Sequence, residues 1–323
     1  MTSGHNVPVC NASSTTGKIA KFLFLILCLY FTTPNLSLAQ TARNALVLYP
    51  YVQEPYTKVF DLIRNGIQSD TRLKVRHYGI SAEPGSQQIK QTISEQQPDI
   101  IIALGQRSVD ALATIAVDKA VIISAVVSPK NNYQCVCMNI DTDIVFSELK
   151  KLQPKIKRIH TVYNASAMAW LIPGAKQSAQ KLGIQLKPLA AVTAQEAARF
   201  YKQLLANNLN SQDAIWLPID TVIPADAILP DLLSAAWRDN FVIFSNNPYH
   251  TRRGGLFSMY PDNSMLGKQI AQTAVDLLDK KSGPRQQTLK YAHKAINSRT
   301  AYHLELDLSE KLINEFNLVY PLK

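Results

Sequence analysis

The sequence has no long hydrophobic run. The most apolar stretch, Phe22 to Phe31, has ten residues, whereas a helix that spans a membrane needs about twenty. Two lysines precede this stretch, and Ser37 and Ala39 provide the small-x-small end that is typical of a cleavable secretory signal. We therefore predict a signal peptide over residues 1–39, with cleavage after Ala39 and a mature protein in the periplasm. A retained membrane anchor is the alternative.

Cysteine is scarce. Of the four cysteines, Cys10 and Cys28 fall in the predicted signal, so that only Cys135 and Cys137 remain in the mature chain. Residues two apart on a strand point to the same face, but a bond between them demands a strained geometry. We predict two buried thiols on a strand, with a redox pair as the alternative. No further cysteine or nearby histidine completes a metal site, and no metal is expected.

Motifs of catalysis and of nucleotide binding are also missing. Neither G-x-G-x-x-G nor a P-loop occurs, and the histidines of the mature chain show no H-E-x-x-H spacing. Ser245, His250 and Asp262 have the residue types of a hydrolase triad, but no G-x-S-x-G elbow surrounds the serine. We predict that the protein is not an enzyme and that it needs no cofactor.

The charge is basic but not concentrated. Lys and Arg outnumber Asp and Glu by 34 to 24, which gives a formal charge of +10, or +8 once the two signal lysines are removed. The basic residues are scattered, so they indicate a solvated surface rather than a nucleic-acid interface. With 323 residues, the chain is too long for most single cores and suits two domains.

Strand and helix patterns alternate twice along the mature chain. The segments "DIIIALG" (99–105) and "AVIISAVV" (120–127) are too apolar for half-exposed strands, and they indicate strands covered on both faces. A second alternating series starts at Ile156. The sequence therefore predicts an α/β protein with two Rossmann-like lobes, each with a parallel sheet.

Ligands of parallel sheets bind beyond the carboxyl ends of the strands. The candidate ligand-binding residues at these ends are Tyr49, Tyr51, Gly105, Gln106, Arg107 and Ser128 in the first half, and Tyr163, Asn164, Asp220, Thr221, Ser245 and Asn246 in the second. Several alternatives stay open. Gly105 to Ser108 is either an anion-binding helix start or a plain turn capped by Ser108. Asp220 binds ligand or caps the next helix, and each tyrosine stacks on ligand or packs.

The stretch "SNNPYHTRRGGLFSMYPDN" (245–263) predicts a hinge beside this site. Its first residues end a strand, and His250 to Arg253 are expected to form a loop that carries charges at the rim of the cleft. Gly254 and Gly255 permit backbone angles that other residues resist. The rest is predicted to cross back to the first lobe, with Asp262 capping the returning helix.

Several segments carry a resemblance to a known family. They are "PDIIIALGQRSVDALA", "VVSPK", "IHTVYNASA", "AIWLPIDTVI", "FVIFSNNPYHTRRGGLFSMYPDNSMLGKQIA" and "KAINSRTAYHLEL". On these landmarks the chain resembles the ABC transporter substrate-binding proteins, in the group that includes tryptophan and tyrosine binders. The resemblance implies the type I periplasmic-binding-protein architecture, in which hinge crossovers join two lobes that close on a small ligand and deliver it to an ABC permease.

The resemblance also implies a division of the chain. We expect the first lobe at 40–150 plus about 258–290, and the second at 151–257 plus about 291–323. The expected partners are a small-molecule ligand and either an ABC permease or a periplasmic sensor domain. No nucleic acid is expected, and the protein is predicted to be a monomer.

The chain departs from the family pattern at the ligand site. The family's Gly-Thr-Pro is replaced by Gly105-Gln106-Arg107, and its Tyr-Asn-Pro-x-Glu-x-Asn is reduced to "YNAS" (163–166), whereas Pro-x-Asp survives at 218–220. We predict a small, amino-acid-like or anionic ligand, and the loss of the acidic positions with the gain of Arg107 and of Arg252-Arg253 favours a more anionic one. The alternative is a periplasmic sensor or accessory protein that uses the same fold to contact a partner.

Overall fold

A computed structural model describes residues 42–81, 85–128, 132–220, 222 and 224–322, together with 1–2, 4–6 and 8. The predicted signal peptide lies outside the described residues except for those few positions, and Thr221 lies outside them as well. The fold below is that of the compact unit Ala42–Lys323.

Strands and helices alternate along this unit. The strands are β1 (Arg43–Pro50), β2 (Leu73–Ile80), β3 (Ile100–Leu104), β4 (Ala120–Ser124), β5 (Gln134–Ile140), β6 (Arg158–Asn164), β7 (Gln185–Ala191), β8 (Asp213–Leu217), β9 (Val242–Ser245), β10 (Phe257–Pro261), β11 (Gln286–Leu289), β12 (Ala292–Asn297) and β13 (Leu318–Tyr320). The helices are α1 (Tyr56–Gln68), α2 (Ser86–Gln96), α3 (Gly105–Ala113), α4 (Thr142–Leu152), α5 (Ile172–Lys181), α6 (Ala194–Ala206), α7 (Ala225–Asp239), α8 (Pro248–Arg253), α9 (Asn263–Leu278), α10 (Ser298–His303) and α11 (Glu310–Ile313).

The strands form two sheets with the same central order. The first sheet runs β11-β5-β4-β3-β1-β2 and the second β13-β12-β10-β9-β8-β6-β7. Every neighbouring pair is parallel except β10 and β12. Five strands of each sheet, β2-β1-β3-β4-β5 and β7-β6-β8-β9-β10, repeat one arrangement. The predicted α/β class with two largely parallel sheets is confirmed.

Both faces of the first sheet are covered by helices. Ile100 and Ile102 of β3 pack with α1 and α9 on one face, whereas Ile101 and Ala103 pack with α2 and α3 on the other. All four side chains are 0% exposed. Because successive strand residues point to opposite faces, a strand covered on both sides must be apolar throughout. The second sheet is covered in the same way, by α4 and α5 on one face and α6 and α7 on the other.

Helices α1 and α9 cross in very close contact, and two glycines permit it. A Cβ atom on Gly267 would lie 2.8 Å from the Cα of Gly66, and one on Gly66 would lie 2.9 Å from the Cα of Gly267. Such a Cβ would also overlap the carbonyl oxygen of Ile63 or Ser264, respectively. Since no side chain fits between these backbones, glycine at both positions fixes how closely α9 packs on α1.

The chain passes between the sheets three times. After β5 it enters α4, whose Phe146 and Leu149 lie in the core of the second sheet. After β10 it returns through α9 to the first sheet, and between β11 and β12 it crosses once more. Helix α4, which the boundary predicted at 150 assigns to the first lobe, thus packs on the second sheet.

Hydrogen bonds connect the crossovers to one another. The backbone N–H of Asp141 donates to the carbonyl of Leu289 (2.9 Å), and its carboxylate accepts from the hydroxyl of Thr288 (3.0 Å). The side chain of Gln269 on α9 donates to the carbonyl of Thr288 (2.9 Å) and accepts from the N–H of Lys290 (3.1 Å). The first and third crossovers are therefore bonded together, and α9 is bonded to the third.

The two cysteines of β5 form a disulfide, which corrects the prediction of two buried thiols. Cys135 and Cys137 are both 0% exposed, and their Cα atoms are 5.4 Å apart. That separation falls within the usual range for bonded cysteines. The shared face of the strand, which the spacing predicted, brings the sulfurs together.

In the portion of the chain that the structure describes, no helix has both the length and the apolarity needed to cross a bilayer.

Candidate functional site

At the carboxyl edge of the first sheet, three of the predicted residues lie together. Nη1 of Arg107, on α3, donates to the carbonyl of Tyr51, which follows β1 (2.9 Å). The rings of Tyr49 and Tyr51 meet edge to face with centroids 5.9 Å apart. The guanidinium of Arg64 lies 4.1 Å from the centroid of Tyr49, a cation–π contact. The ends of β1 and β3 thus bring the rings of Tyr49 and Tyr51 and the guanidinium of Arg107 together in one group.

The start of α3 depends on Gly105. This residue has φ +77°, and a Cβ there would lie 3.2 Å from Cζ of Phe60. The helix begins at Gly105 itself, so Ser108 is its fourth residue and is buried. The alternative that Ser108 caps this helix is therefore wrong. Gln106, at the exposed side of the first turn, donates to the carboxylate of Asp110 (2.7 Å).

A cavity of about 550 Å³ opens beside this group. Its lining residues are Tyr51, Val52, Gln53, Glu54, Tyr56 and Arg107. Tyr51 and Tyr56 are 62% and 63% exposed, an unusual extent for large aromatic side chains. Two accessible rings beside one cation and one carboxylate can stack on an apolar body and bind a charged group.

At the second sheet, Asn164 and Asp220 are joined. The carboxylate of Asp220 accepts from the backbone N–H of Asn164 (2.7 Å) and of Val222 (2.8 Å). Burial raises the pKa of the neighbouring Tyr201, and the Asp220 carboxylate raises it further. Asp220 therefore ties the end of β6 to the loop after β8. Its contact with a ligand, like that of the half-buried Tyr163, stays a prediction.

The amide oxygen of Asn164 organises the turn that follows β6. It accepts hydrogen bonds from the N–H and hydroxyl of Ser166 (2.9 and 2.8 Å) and from the N–H of Ala167 (3.0 Å). These bonds fix the turn at the carboxyl edge of the sheet. Ser128, predicted at the end of β4, is half-buried on the first sheet, and its ligand contact also stays a prediction.

Asn246 lies inside the protein at the end of β9. Its side-chain oxygen accepts from the indole N–H of Trp216 (2.8 Å), and its amide donates to the carbonyl of Met259 (3.0 Å). Asn246 is 4% exposed and Trp216 is 1% exposed. These bonds join three neighbouring strands of the second sheet.

Ser245 is engaged in the same interior. Its hydroxyl lies 3.0 Å from the carbonyl of Leu217 and 2.7 Å from Nδ1 of His250, and it accepts from the N–H of Asn247 (3.0 Å). Ser245 is 1% exposed. A ligand contact of Ser245 or Asn246 stays a prediction, and it would require these buried side chains to become accessible.

The segment from Pro248 to Arg253 is a short helix, α8, rather than the loop predicted from the sequence. His250 is 5% exposed and contacts Ser245, so its assignment as a charge at the rim is wrong. Asp262 caps α9 as predicted, since its carboxylate accepts from the N–H of Met265 (3.0 Å). It also lies 3.8 Å from Nε2 of His293. Ser245 and His250 thus meet, while Asp262 serves a different element.

Sequence reasoning did not identify the residues at which the two sheets touch. The side chain of Trp170, in the loop after β6, packs against core residues of both sheets. Nδ2 of Asn139 on β5 lies 3.3 Å from the sulfur of Met168 in that same loop. The signal was present, since a large aromatic residue six positions beyond a strand end is rarely a plain turn residue.

No group of His, Cys, Asp and Glu side chains suited to a metal ion occurs among the described residues.

Residues 62–319 match the family model described as ABC transporter substrate binding protein. That match covers 258 of the 323 residues. The chain belongs to the ABC transporter substrate-binding protein family. This is a family of substrate-binding proteins rather than enzymes, and its members bind small molecules and act with ABC permeases.

Solved structures with low sequence identity share the fold. One is an ABC domain in complex with L-Trp from Streptococcus pneumoniae, at 20% identity and TM-score 0.52, covering 86% of this chain and 99% of that one. Another is the ligand-free, open structure of a substrate-binding protein with adhesive properties from Clostridium difficile, at 16% identity and TM-score 0.59, with the same coverage. A conserved domain protein from Vibrio cholerae matches at 19% identity and TM-score 0.51, again over 86% and 99%.

Comparison with functionally curated proteins gave no match.

Proposed function

We propose that the protein is the periplasmic solute-binding component of an ABC-type uptake system, which closes two lobes on a small ligand. The observation that carries the proposal is the repeated strand order of two sheets that are linked by three crossovers. In parallel sheets of this kind, ligands bind at the carboxyl edges. Hinge rotation about the crossovers would bring two such edges onto one ligand.

The first sheet suggests the class of ligand. One N–H of Arg107 donates to the carbonyl of Tyr51, and a guanidinium has five N–H donors. The remaining donors can bind a carboxylate or another anionic group. Tyr51 and Tyr56 can stack on the rest of the molecule. We therefore favour an amino-acid-like or anionic ligand.

A binding screen tests this proposal. L-tryptophan, L-tyrosine and a panel of small carboxylates are titrated into the mature protein by calorimetry, with thermal unfolding as a second readout. A ligand at one hundred times its Kd should stabilise the protein by about 2.7 kcal/mol. Small-angle scattering should show compaction, and the first residue of the exported protein should be Gln40.

The variant Arg107→Gln should weaken binding about tenfold to a hundredfold, since it removes a charged hydrogen-bond donor. Arg199→Gln, an equivalent change on the exposed surface of α6, is the control and should bind normally. If no compound in a broad metabolite panel shifts the unfolding temperature, solute binding is refuted. Binding that survives Arg107→Gln would instead move the site elsewhere.

One surface supports the second candidate, a periplasmic sensor or accessory protein. Trp237 stacks on His303 with centroids 3.8 Å apart, and Arg253 lies over the ring of Tyr249. Trp237 and the nearby Tyr302 are 53% and 85% exposed. Exposed tryptophan, tyrosine and arginine are the residues that dominate protein interfaces. Genes for a kinase or an outer-membrane receptor beside this one would favour this function, whereas permease and ATPase genes would favour transport.

A further inference from the structure

A second cavity lies at the opposite edge of the second sheet from the candidate site. It has a volume of about 470 Å³ and is formed by the amino-terminal parts of β6, β7 and β8 together with the end of α6. Strand β6 runs from Arg158 at this cavity to Asn164 at the carboxyl edge. A strand rises about 3.3 Å per residue, which separates the two places by about 20 Å. A ligand in this cavity would not touch the candidate site.

One wall of the cavity is a buried, ionised cluster around Asp213. Its carboxylate accepts from Nε and Nη2 of Arg158 (2.6 and 2.8 Å), from Nε2 of His160 (2.9 Å) and from the backbone N–H of Asn210 (3.0 Å). Burial raises the pKa of Asp213, but the hydrogen bonds from Arg158, His160 and Asn210 outweigh it and lower the pKa to about 2. The carboxylate is saturated with donors, so it is not available to bind a cation.

The remaining polar capacity of the cavity favours an anion. Asp213 neutralises Arg158, whose Nη1 is left for another acceptor. Lys187 on β7 is exposed and makes no ion pair with the described residues. The charges of Arg158 and Lys187 therefore exceed that of Asp213, and the net charge of these three side chains is +1. The amides of Gln203, Asn207 and Asn208 also line the cavity and can donate hydrogen bonds.

The rest of the lining is apolar. Leu189, Leu204 and Leu209 contribute to the cavity, and they belong to or pack against the core between the second sheet and α6. A cavity of this volume is within the range of small-molecule sites, and it exceeds what a bare inorganic anion fills. The ligand that fits has an anionic head and a short apolar body.

The polar cluster is also incomplete. His160 is 6% exposed, and its Nδ1 is buried and has no hydrogen-bond partner among the described residues. An unsatisfied buried polar atom costs about 1–3 kcal/mol, and native proteins retain few of them. Because Nε2 of His160 donates to Asp213, Nδ1 of the neutral ring is an acceptor. An anion offers it no donor, so this atom takes no part in holding the anionic head.

We propose that this cavity is a second ligand site, which binds a small organic anion, with Lys187 and Arg158 holding the anionic head and the three leucines holding an aliphatic chain. The site is independent of the solute site at the carboxyl edges. No Phe, Tyr or Trp side chain lines the cavity, so the body of its ligand is aliphatic rather than aromatic.

Four probes of graded chemistry test this proposal by calorimetry on the mature protein. Hexanoate and hexyl phosphate carry both features and should bind. Hexylammonium has the same chain with the opposite charge and should not bind, and inorganic phosphate, which lacks the chain, should bind at least about tenfold more weakly. Equal binding of hexylammonium and hexanoate would overturn the anionic assignment. Equal binding of inorganic phosphate would overturn the role of the leucines.

Two exposed substitutions then locate the site. Lys187→Gln removes a cation and Gln203→Glu adds an anion at the cavity, and each should weaken hexanoate binding about tenfold. Lys176→Gln on α5, an exposed lysine outside the cavity, is the matched control and should leave it unchanged. If Lys187→Gln and Gln203→Glu bind hexanoate like the unaltered protein, the cavity is not its site. Hexanoate is a small carboxylate and can also bind at Arg107, so each titration is repeated in the Arg107→Gln background. Hexanoate binding that persists there and depends on Lys187 belongs to this cavity, which keeps failure here separable from failure of the solute-binding proposal.

Discussion

The two sheets share one strand order, yet they use their carboxyl edges differently. At the first sheet, Tyr51, Tyr56 and Arg107 face an open cavity, and the rings are more than half exposed. At the second sheet, Ser245 and Asn246 are turned inward and bonded to neighbouring strands. Repetition of a topology therefore repeats a location for a site, not the site itself.

The difference indicates how the two edges divide their work. Polar residues with saturated internal bonds hold strands in register and stabilise the second sheet. Polar residues with spare donors, such as Arg107, contribute little to stability and are available to a ligand. Substitutions can separate these two roles, because one set should change the free energy of unfolding and the other should change ligand affinity.

The largest effect is expected where the first sheet depends on backbone contact between helices. Gly267→Ala should lower the free energy of unfolding by about 3 kcal/mol, because the new methyl group meets the backbone of α1 and forces α9 away. Denaturant unfolding followed by circular dichroism measures the change. The control is Gly174→Ala on α5 at the second sheet, where nothing lies within 4 Å of the added Cβ.

Gly174→Ala should be neutral or slightly stabilising, since alanine restricts the unfolded chain. Equal losses of stability in Gly267→Ala and Gly174→Ala would show that the close α1–α9 crossing does not cause the destabilisation. The two sheets would then not differ in their tolerance of an added methyl group.

The next effect concerns the charged cluster at the amino edge of the second sheet. Asp213 is 2% exposed and its folded-state pKa is about 2, below the unfolded value of 3.8. A lowered pKa contributes stability that is fully present above the unfolded value and is lost as the pH falls from about 4 to 2. The shift corresponds to about 2 kcal/mol.

Asp213→Asn should remove this part of the pH dependence, as measured by denaturant titrations at pH 2, 3, 4 and 6. Asp61→Asn on α1, whose ion pair with Arg64 is exposed to solvent, should alter stability by less than about 1 kcal/mol at any of these values. An unchanged acid profile in Asp213→Asn would contradict the cluster as described.

The last pair of variants, which includes the smallest expected change in stability, tests the comparison most directly. Asn246→Ala leaves the buried indole N–H of Trp216 and the carbonyl of Met259 without their partner, and should cost about 2 kcal/mol. Tyr51→Ala removes a largely exposed ring and should cost less than about 0.5 kcal/mol, while it weakens ligand binding. Denaturant unfolding measures the stability of both variants, and calorimetry measures their affinity for the ligand. Reversed behaviour would assign the ligand to the second sheet.

The strands and most of the helices could be predicted from the sequence because their signals are local. A strand covered on both faces must be apolar at every position, as "DIIIALG" is, and hydrogen-bonding side chains mark helix starts. The side chains of Thr193, Asp141 and Asp262 each accept from a first-turn N–H of the helix that follows.

The remaining features depend on contacts between distant segments. The stretch "PYHTRR" is rich in loop-forming and charged residues, but its helix is held by His250, which packs inward beside Ser245. Strands β11 and β12 are separated by only two residues yet lie in different sheets, because the third crossover runs between them. The contact of Trp170 with both sheets likewise exists only once the sheets are assembled.

Gln269 has a consequence for the behaviour of the protein in concentrated solution. Strand β11 is the last strand of its sheet, and such a strand ordinarily offers its free backbone groups to any other chain. The amide of Gln269 satisfies Thr288 and Lys290 in the way that a further strand would. The side chain of Gln269 therefore hinders another copy of the protein from pairing with the free edge of β11.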